Sequence, residues 1–218
     1  MKTYGVAIQG AGNVSTEHIK AYVNNPHTEV VAIGSRTEEG ALDKMKEMEL
    51  SCEVYDDYDE MLKNKKVDIV SICTPSERHS IETIKAAEAG KHILVEKPIA
   101  TNLEELRAMR DAVRAAKVKT VVSFVLRWNP LFDCIKALLA DDALGTVFFV
   151  ETDYWHGQWH HTNYPTRHRP GTPRKPISSF LGGGCHAVDA ARYFLASNII
   201  EVMAYNPESG KSDPHTLL

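Results

Sequence analysis

The chain has 218 residues, 43% of them hydrophobic and 25% charged, with a formal net charge of −4. Those proportions suit a water-soluble globular protein long enough for one large domain, or for one domain and part of another. They offer no basic block for a nucleic acid, no apolar run that would span a bilayer and no signal-peptide core at the amino terminus. The four cysteines (Cys52, Cys73, Cys134 and Cys185) are scattered, with no C-x-x-C pair. Such spacing reads as reduced thiols in a core, and so as a cytoplasmic protein.

Tyr4 to Ile8 is a short apolar run with β-branched residues, which predicts a buried strand. It runs into Gly10-Ala11-Gly12-Asn13-Val14-Ser15, and Thr16 to Asn24 carries a helical pattern. Strand, glycine turn and helix in this order form a dinucleotide-binding arrangement. Gly10 permits the tight turn, and Gly12 leaves room for backbone to approach a pyrophosphate. The free N–H groups at the helix N-terminus then hold the anion, with Asn13 and Val14 among the cofactor-binding residues. Ser15 is small enough for the helix to pack closely on the strand. A plain strand-to-helix turn would give the same run, so the residues that follow decide its meaning.

Glu29 to Gly34 reads as the second strand, and it ends at Ser35-Arg36-Thr37. A carboxylate usually binds both adenosine ribose hydroxyls at that end. Without one, the repulsion against a 2′-phosphate is gone and Arg36 supplies a charge to pair with it, which favours NADP over NAD. The alternative is an Arg36 that simply sits in solvent, with either cofactor bound. Glu38 to Met48 is a charged amphipathic helix, Cys52 to Tyr55 a short strand, and Tyr58 to Lys63 another helix. Val67 to Cys73 is the fourth strand. Pro75, after Thr74, stops it and forces a turn at the carboxyl edge, where open α/β sheets bind ligands. Glu77 to Ala89 is a helix closed by Gly90. His79, in its first turn, suits a surface, capping or ligand-contacting role. Lys91 to Val95 is the fifth strand, leading into Glu96-Lys97-Pro98. Asn102 to Ala116 is a helix and Thr120 to Val125 a sixth strand.

This alternation predicts an α/β dinucleotide-binding Rossmann domain over residues 1–125, a parallel sheet with helices on both faces. Residues 126–218 read as part of a second, α+β domain. Arg127-Trp128-Asn129-Pro130 opens a helix through Leu139, and Thr146 to Tyr154 alternates as a strand of a second sheet. Residues 155–177 read as a long ordered loop. A turn, a glycine run and a helix follow over Ser178 to Leu195, and Ile199 to Tyr205 is a further strand.

Two groups of residues carry chemistry. Lys97 follows the fifth strand and so reaches the same edge as the glycine turn, beside a nicotinamide. Partial burial and a cationic ring nearby would favour its neutral, proton-accepting form. Glu96 is placed to orient it, and a cis peptide before Pro98 would aim the turn. Gly182-Gly183-Gly184 then lead into a helix on which His186 and Asp189 share a face. His186 could hold or deprotonate a substrate hydroxyl, with Asp189 setting its tautomer. Trp155 and His156, with Trp159, His160 and His161, could line a sugar pocket or face a partner subunit. Their spacing supplies no persuasive third ligand for a metal, so none is assigned.

Together these pieces resemble the Gfo/Idh/MocA family of NAD(P)-dependent sugar and polyol oxidoreductases. The matching residues are Gly10-Ala11-Gly12-Asn13 with His18, Thr74-Pro75 with His79, and the run Ala86 to Ala100 (AAEAGKHILVEKPIA). Arg127 with Asn129-Pro130, and Gly182 to Asp189, complete the set. The resemblance implies reversible hydride transfer between a carbinol carbon and NADP or NAD, with Lys97 and His186 as the catalytic residues. It also implies cofactor contacts from Thr74, Pro75, His79, Glu96 and Arg127, and a homo-oligomer, dimer or tetramer, built through an open antiparallel sheet in the second domain. Many members have an aspartate four residues before the histidine, where this chain has Gly182, so the proton relay must differ. Family members are also much longer, and only about two strands of their second sheet are legible here. The sequence therefore reads as truncated, and a 218-residue polypeptide is expected to be poorly soluble or inactive. Two other activities fit the residues: a cofactor-linked glycoside-cleaving enzyme using transient sugar oxidation, and a non-catalytic dinucleotide sensor.

Overall fold

The computed structural model describes residues 2–155 and 180–203. The chain separates into two compact units, Met1–Ser123 and Phe124–Leu218.

In the first unit, strands and helices alternate: β1 (Tyr4–Gln9), α1 (Asn13–Val23), β2 (Thr28–Gly34), α2 (Glu38–Glu47), β3 (Glu53–Tyr55), α3 (Tyr58–Lys63), β4 (Ile69–Ile72), α4 (Ser76–Glu88), β5 (His92–Val95), α5 (Leu103–Ala116) and β6 (Thr120–Val122). The six strands form one parallel sheet in the order β3-β2-β1-β4-β5-β6. The order reverses between β1 and β4, the point where ligands bind in such sheets.

Strand alternation sorts the core into two layers. Val6 and Ile8 of β1 pack with Ile19 of α1 and Ala41 of α2. Ala7 between them faces the other way, into a cluster with Met61 of α3, Ala86 of α4 and, at its margin, Ala112 of α5. Both faces are covered, which is why β1 and β4 read as continuous apolar runs.

Local chemistry sets the helix ends. Thr37, Asp57 and Asn102 each cap a helix, accepting from backbone N–H groups of the first turn. Among the described residues, four non-glycine residues just past helix ends take left-handed backbone angles: Glu49 (φ 52°), Lys117 (φ 56°), Asp142 (φ 54°) and Ala196 (φ 49°). Helix α1 begins at Asn13, earlier than its apolar pattern, so that Gly12 is its N-cap. Strand β6 stops at Val122, and Val125 instead opens a 3₁₀ turn through Trp128.

In the second unit, Asn129 caps α6 (Pro130–Ala140), Phe180–Gly184 winds into a π-helical turn, and α7 (Cys185–Leu195) follows. Phe132 of α6 meets Phe194 of α7 with ring centroids 4.7 Å apart. The strands expected at 146–154 and 199–205 are corrected: residues 146–155 and 197–203 carry no strand, and residues 204 and 205 lie outside the described residues. Alternating apolar residues make a strand only where a neighbour accepts and donates the ladder hydrogen bonds, and none does so among the described residues. All four cysteines are free, but Cys134 is exposed on α6 rather than in a core. Among the described residues no helix is long and apolar enough to cross a membrane.

Candidate functional site

The carboxyl edge of the sheet gathers three turns. After β1, Gly10 has φ 106° and donates its N–H to the Gly34 carbonyl at 2.8 Å. A Cβ at Gly10 would lie 2.9 Å from the Cys73 carbonyl carbon and 3.0 Å from the Thr74 nitrogen, so the turn after β1 adjoins the turn after β4. Ser15 is fully buried and donates its hydroxyl to the Gly12 carbonyl at 2.6 Å. That contact explains a small hydroxyl residue in the third position of the motif. Asn13 and Val14 stand exposed at the start of α1. After β2, Ser35 donates its N–H to the Tyr55 carbonyl and Arg36 is exposed.

After β4, Thr74 donates its hydroxyl to Glu82 of α4, and Pro75 is the N-cap of that helix. Cys73, just before, is no nucleophile: burial pushes its thiol up to about 12. His79 is buried rather than on the surface. Its Nε2 lies 2.8 Å from the Thr74 carbonyl and its Nδ1 2.9 Å from the Pro98 carbonyl. It thereby bridges the turn after β4 to the turn after β5, a role that its place in the first helical turn did not reveal.

The turn after β5 is Glu96-Lys97-Pro98, with a cis peptide before Pro98. Glu96 is buried. It accepts from His18 Nε2 at 3.0 Å and from the Lys97 backbone N–H at 3.1 Å, so it anchors the lysine's main chain. Burial alone would raise the Glu96 pKa, but hydrogen bonds from His18 and Ser123 and the His18 charge outweigh it and hold the carboxyl below its usual range. The other ring nitrogen of His18 meets Ser71 on β4 at 2.8 Å. Lys97 itself is half-buried.

The second unit holds the remaining residues. Arg127 makes a two-pronged ion pair with Asp189, Nε to Oδ2 at 2.8 Å and Nη2 to Oδ1 at 2.7 Å. The Asp189 hydrogen bonds raise the Arg127 pKa, against the opposing effect of burial. Its guanidinium carbon also lies 5.0 Å from the Tyr193 ring centroid. This corrects the expectation that Asp189 sets the tautomer of His186: helical spacing puts both on one face, but a planar guanidinium matches both carboxylate oxygens. His186 is buried, its ring 5.0 Å from Tyr154 and edge-on to Phe124. Trp155 is 92% exposed. His156, Trp159, His160 and His161 lie outside the described residues. Among the described residues no three His, Cys, Asp or Glu side chains gather as metal ligands.

Several residues at the edge carried no readable signal. Gln9, Arg78 and Glu82 interlock beneath the first two turns, and Ser71 and Ser123 support His18 and Glu96. In the sequence Glu82 was one more charge on an amphipathic helix, and only its burial distinguishes it.

Residues 4–124 match the model of the oxidoreductase family with an NAD-binding Rossmann fold, and residues 132–214 match the GFO/IDH/MocA C-terminal domain. The chain is 29% identical over 204 residues to the scyllo-inositol 2-dehydrogenase (NAD(+)) of Bacillus subtilis strain 168, covering 91% of this chain and 56% of that protein. It is 31% identical over 150 residues to the levoglucosan dehydrogenase of Pseudarthrobacter phenanthrenivorans, covering 64% of this chain and 36% of that one. In fold it resembles the scyllo-inositol dehydrogenase of Lactobacillus casei, solved with NAD(H) and scyllo-inositol. There the TM-score is 0.78 at 23% identity, over 89% of this chain and 57% of the other. The chain spans about half the length of the curated relatives it matches. With the glycine turn, the Thr74-Pro75 turn and the Glu96-Lys97-Pro98 turn on one sheet edge and both halves matched in order, the chain belongs to the Gfo/Idh/MocA oxidoreductase family.

Proposed function

We propose that this polypeptide serves an NAD(P)-dependent oxidoreductase acting on a carbinol carbon of a sugar or polyol. The observation that carries this reading is the buried Glu96 anchor, which fixes the backbone of Lys97 on the same edge as the Gly10–Gly12 turn. The edge suits a dinucleotide. A Cβ at Gly12 would meet nothing within 4 Å, and α1 opens there with no side chain capping it. Gly10, Gly12, Asn13 and Val14 would hold the diphosphate at those N–H groups, with Ser35 and Arg36 toward the adenosine ribose. Thr74, Pro75, His79, Glu96 and Lys97 would frame the nicotinamide half. When bound, the nicotinamide supplies a hydride acceptor or donor.

In the oxidising direction Lys97 would take the hydroxyl proton as the C–H bond gives up its hydride to the nicotinamide. On reduction it returns that proton to the alkoxide. His186 holds the substrate hydroxyl or shares the proton, and Arg127 adds a cofactor contact; both rest on the family likeness alone. Asp189 supports the substrate region by fixing Arg127, and Trp155 and His156 offer faces on which a sugar ring stacks. We assign residues 1–125 to cofactor binding and 126–218 to substrate binding and subunit association. The relatives' names, inositol and levoglucosan dehydrogenase, favour a cyclic polyol or anhydrosugar. The exposed Arg36, with no carboxylate beside it, favours NADP.

The test is to titrate the protein with NADH and NADPH by fluorescence and then supply NAD(P)⁺ with a panel of inositols, levoglucosan and aldoses. Saturable binding and a rise in reduced nicotinamide with one panel member are expected, with NADPH bound more tightly. Failure to bind either nucleotide refutes the reading. Release of an aglycone without net reduction would replace it with the glycoside-cleaving reaction.

A further inference from the structure

We propose that Glu82 is a positioning residue: one buried carboxylate that ties the end of β1 to the turn after β4 and so sets the affinity of the cofactor edge. The inference rests on the cofactor reading above, and it goes beyond it by naming what holds the two turns in register.

Glu82 sits on α4 with only 1% of its surface exposed, yet its carboxylate is fully engaged. Oε1 accepts from Gln9 Nε2 at 3.0 Å and from Arg78 Nε at 2.8 Å, and Oε2 accepts from the Thr74 hydroxyl. All three partners are donors, as an ionised carboxylate requires. Each also lies where the cofactor edge is built. Gln9 is the last residue of β1, directly before Gly10. Thr74 opens the turn after β4, and Arg78 is in the first turn of α4. A Cβ at Gly34 would collide with the Gln9 Oε1 atom and crowd the Met61 sulfur, so the glycine leaves the Gln9 amide its place.

Burying a carboxylate is an expensive way to stabilise a fold, since apolar residues of the same volume do it as well or better. The arrangement is explained instead by what it fixes. The backbone joins the two strand ends through the β1–β4 ladder, which reaches Gln9 and Ile72, and through the Cys73 N–H, which donates to the Gln9 carbonyl at 2.7 Å. Glu82 adds a side-chain tie, in which the residue before the Gly10 turn and the first residue of the Thr74 turn share one acceptor.

The test compares the wild-type chain with Glu82→Gln and Arg78→Gln. NADH and NADPH affinity is read by fluorescence, and backbone amide exchange over Gln9–Asn13 and Thr74–His79 is read without nucleotide. Loss of one charge-assisted bond predicts about tenfold weaker nucleotide binding for E82Q. Faster exchange confined to those two segments is expected, with a thermal midpoint close to that of the wild type. Arg78 is half-exposed, so R78Q should fold and weaken binding by a smaller factor in the same direction. Unchanged nucleotide affinity in both variants overturns the proposal, as does faster exchange spread over the whole first unit, which would mark Glu82 as a general fold stabiliser. If E82Q does not fold, the double variant Gln9→Met with Glu82→Met removes both polar groups together, and wild-type affinity in it is equally fatal. A wild-type chain that binds no nucleotide defeats the cofactor reading and this proposal together. A wild-type chain that binds while the variants bind equally defeats only this one.

Discussion

Val6, Ala7 and Ile8 of β1 are wholly buried, whereas Phe148 and Ile200 in the second unit are 95% and 99% exposed. The residue types are alike, and in sequence both stretches read as strands. The difference lies in partners. Strand β1 has β2 on one side and β4 on the other, and helices cover both its faces. Among the described residues, segments 146–155 and 197–203 have no neighbouring strand at all. An apolar side chain contributes about 25 cal/mol per Å² only when something removes it from water, so the same residue types stabilise β1 and contribute little at Phe148 and Ile200.

That contrast can be broken or sharpened by substitution. The largest effect belongs to the chemistry assigned to the first unit. Lys97→Met should lower kcat by about 10²–10⁴-fold, the usual contribution of a positioned acid/base group, while the thermal midpoint stays near wild type. A variant that keeps its rate would move the proton transfer elsewhere. Next comes the core of β1: Ile8→Ala should cost about 2–5 kcal/mol in denaturant unfolding, because the closed layer cannot collapse around the cavity.

Acid should act on the Glu96 anchor. Its folded-state pKa lies below the ordinary 4.5, so the folded chain binds this proton less readily than the unfolded one. The stabilisation is therefore complete above about pH 4.5 and lost as pH falls through the lower folded value. Glu96→Gln should flatten that part of the stability profile measured by thermal unfolding, and an unchanged acid slope would exclude the anchor as its source. The smallest effect is expected at Phe148→Ser, within about 0.5 kcal/mol of wild type, since the ring is already in water. A larger loss would mean that this segment finds a partner in solution.

The sequence disclosed most where structure is local. Each strand–turn–helix of the first unit was readable because its apolar run, its breaker and its cap lie within a few residues of one another, as at Tyr4–Gly12 or Val67–Pro75. Helix ends differed by one to three residues, and β6 was shorter than its apolar run because Val125 was drawn into a 3₁₀ turn. Illegible features were those set by distant contacts. The pairing of Asp189 with Arg127 spans 62 positions and that of Gln9 with Glu82 spans 73, so spacing could not foresee either. The place of His79 in a first helical turn left surface, capping and ligand-contacting roles open, and the Pro98 carbonyl against its ring is a contact 19 positions away. The strands expected at 146–154 and 199–205 illustrate the reverse, since a correct alternation is not sufficient without a ladder.

The four left-handed residues beyond helix ends have a practical use. A side chain at such a φ strains the backbone by about 1–2 kcal/mol, part of which glycine recovers. Lys117 closes α5 and Ala196 closes α7, and neither belongs to the cofactor edge. Lys117→Gly and Ala196→Gly should therefore toughen the protein against heat while leaving turnover alone, which makes robustness in this chain something an engineer can adjust independently of its chemistry.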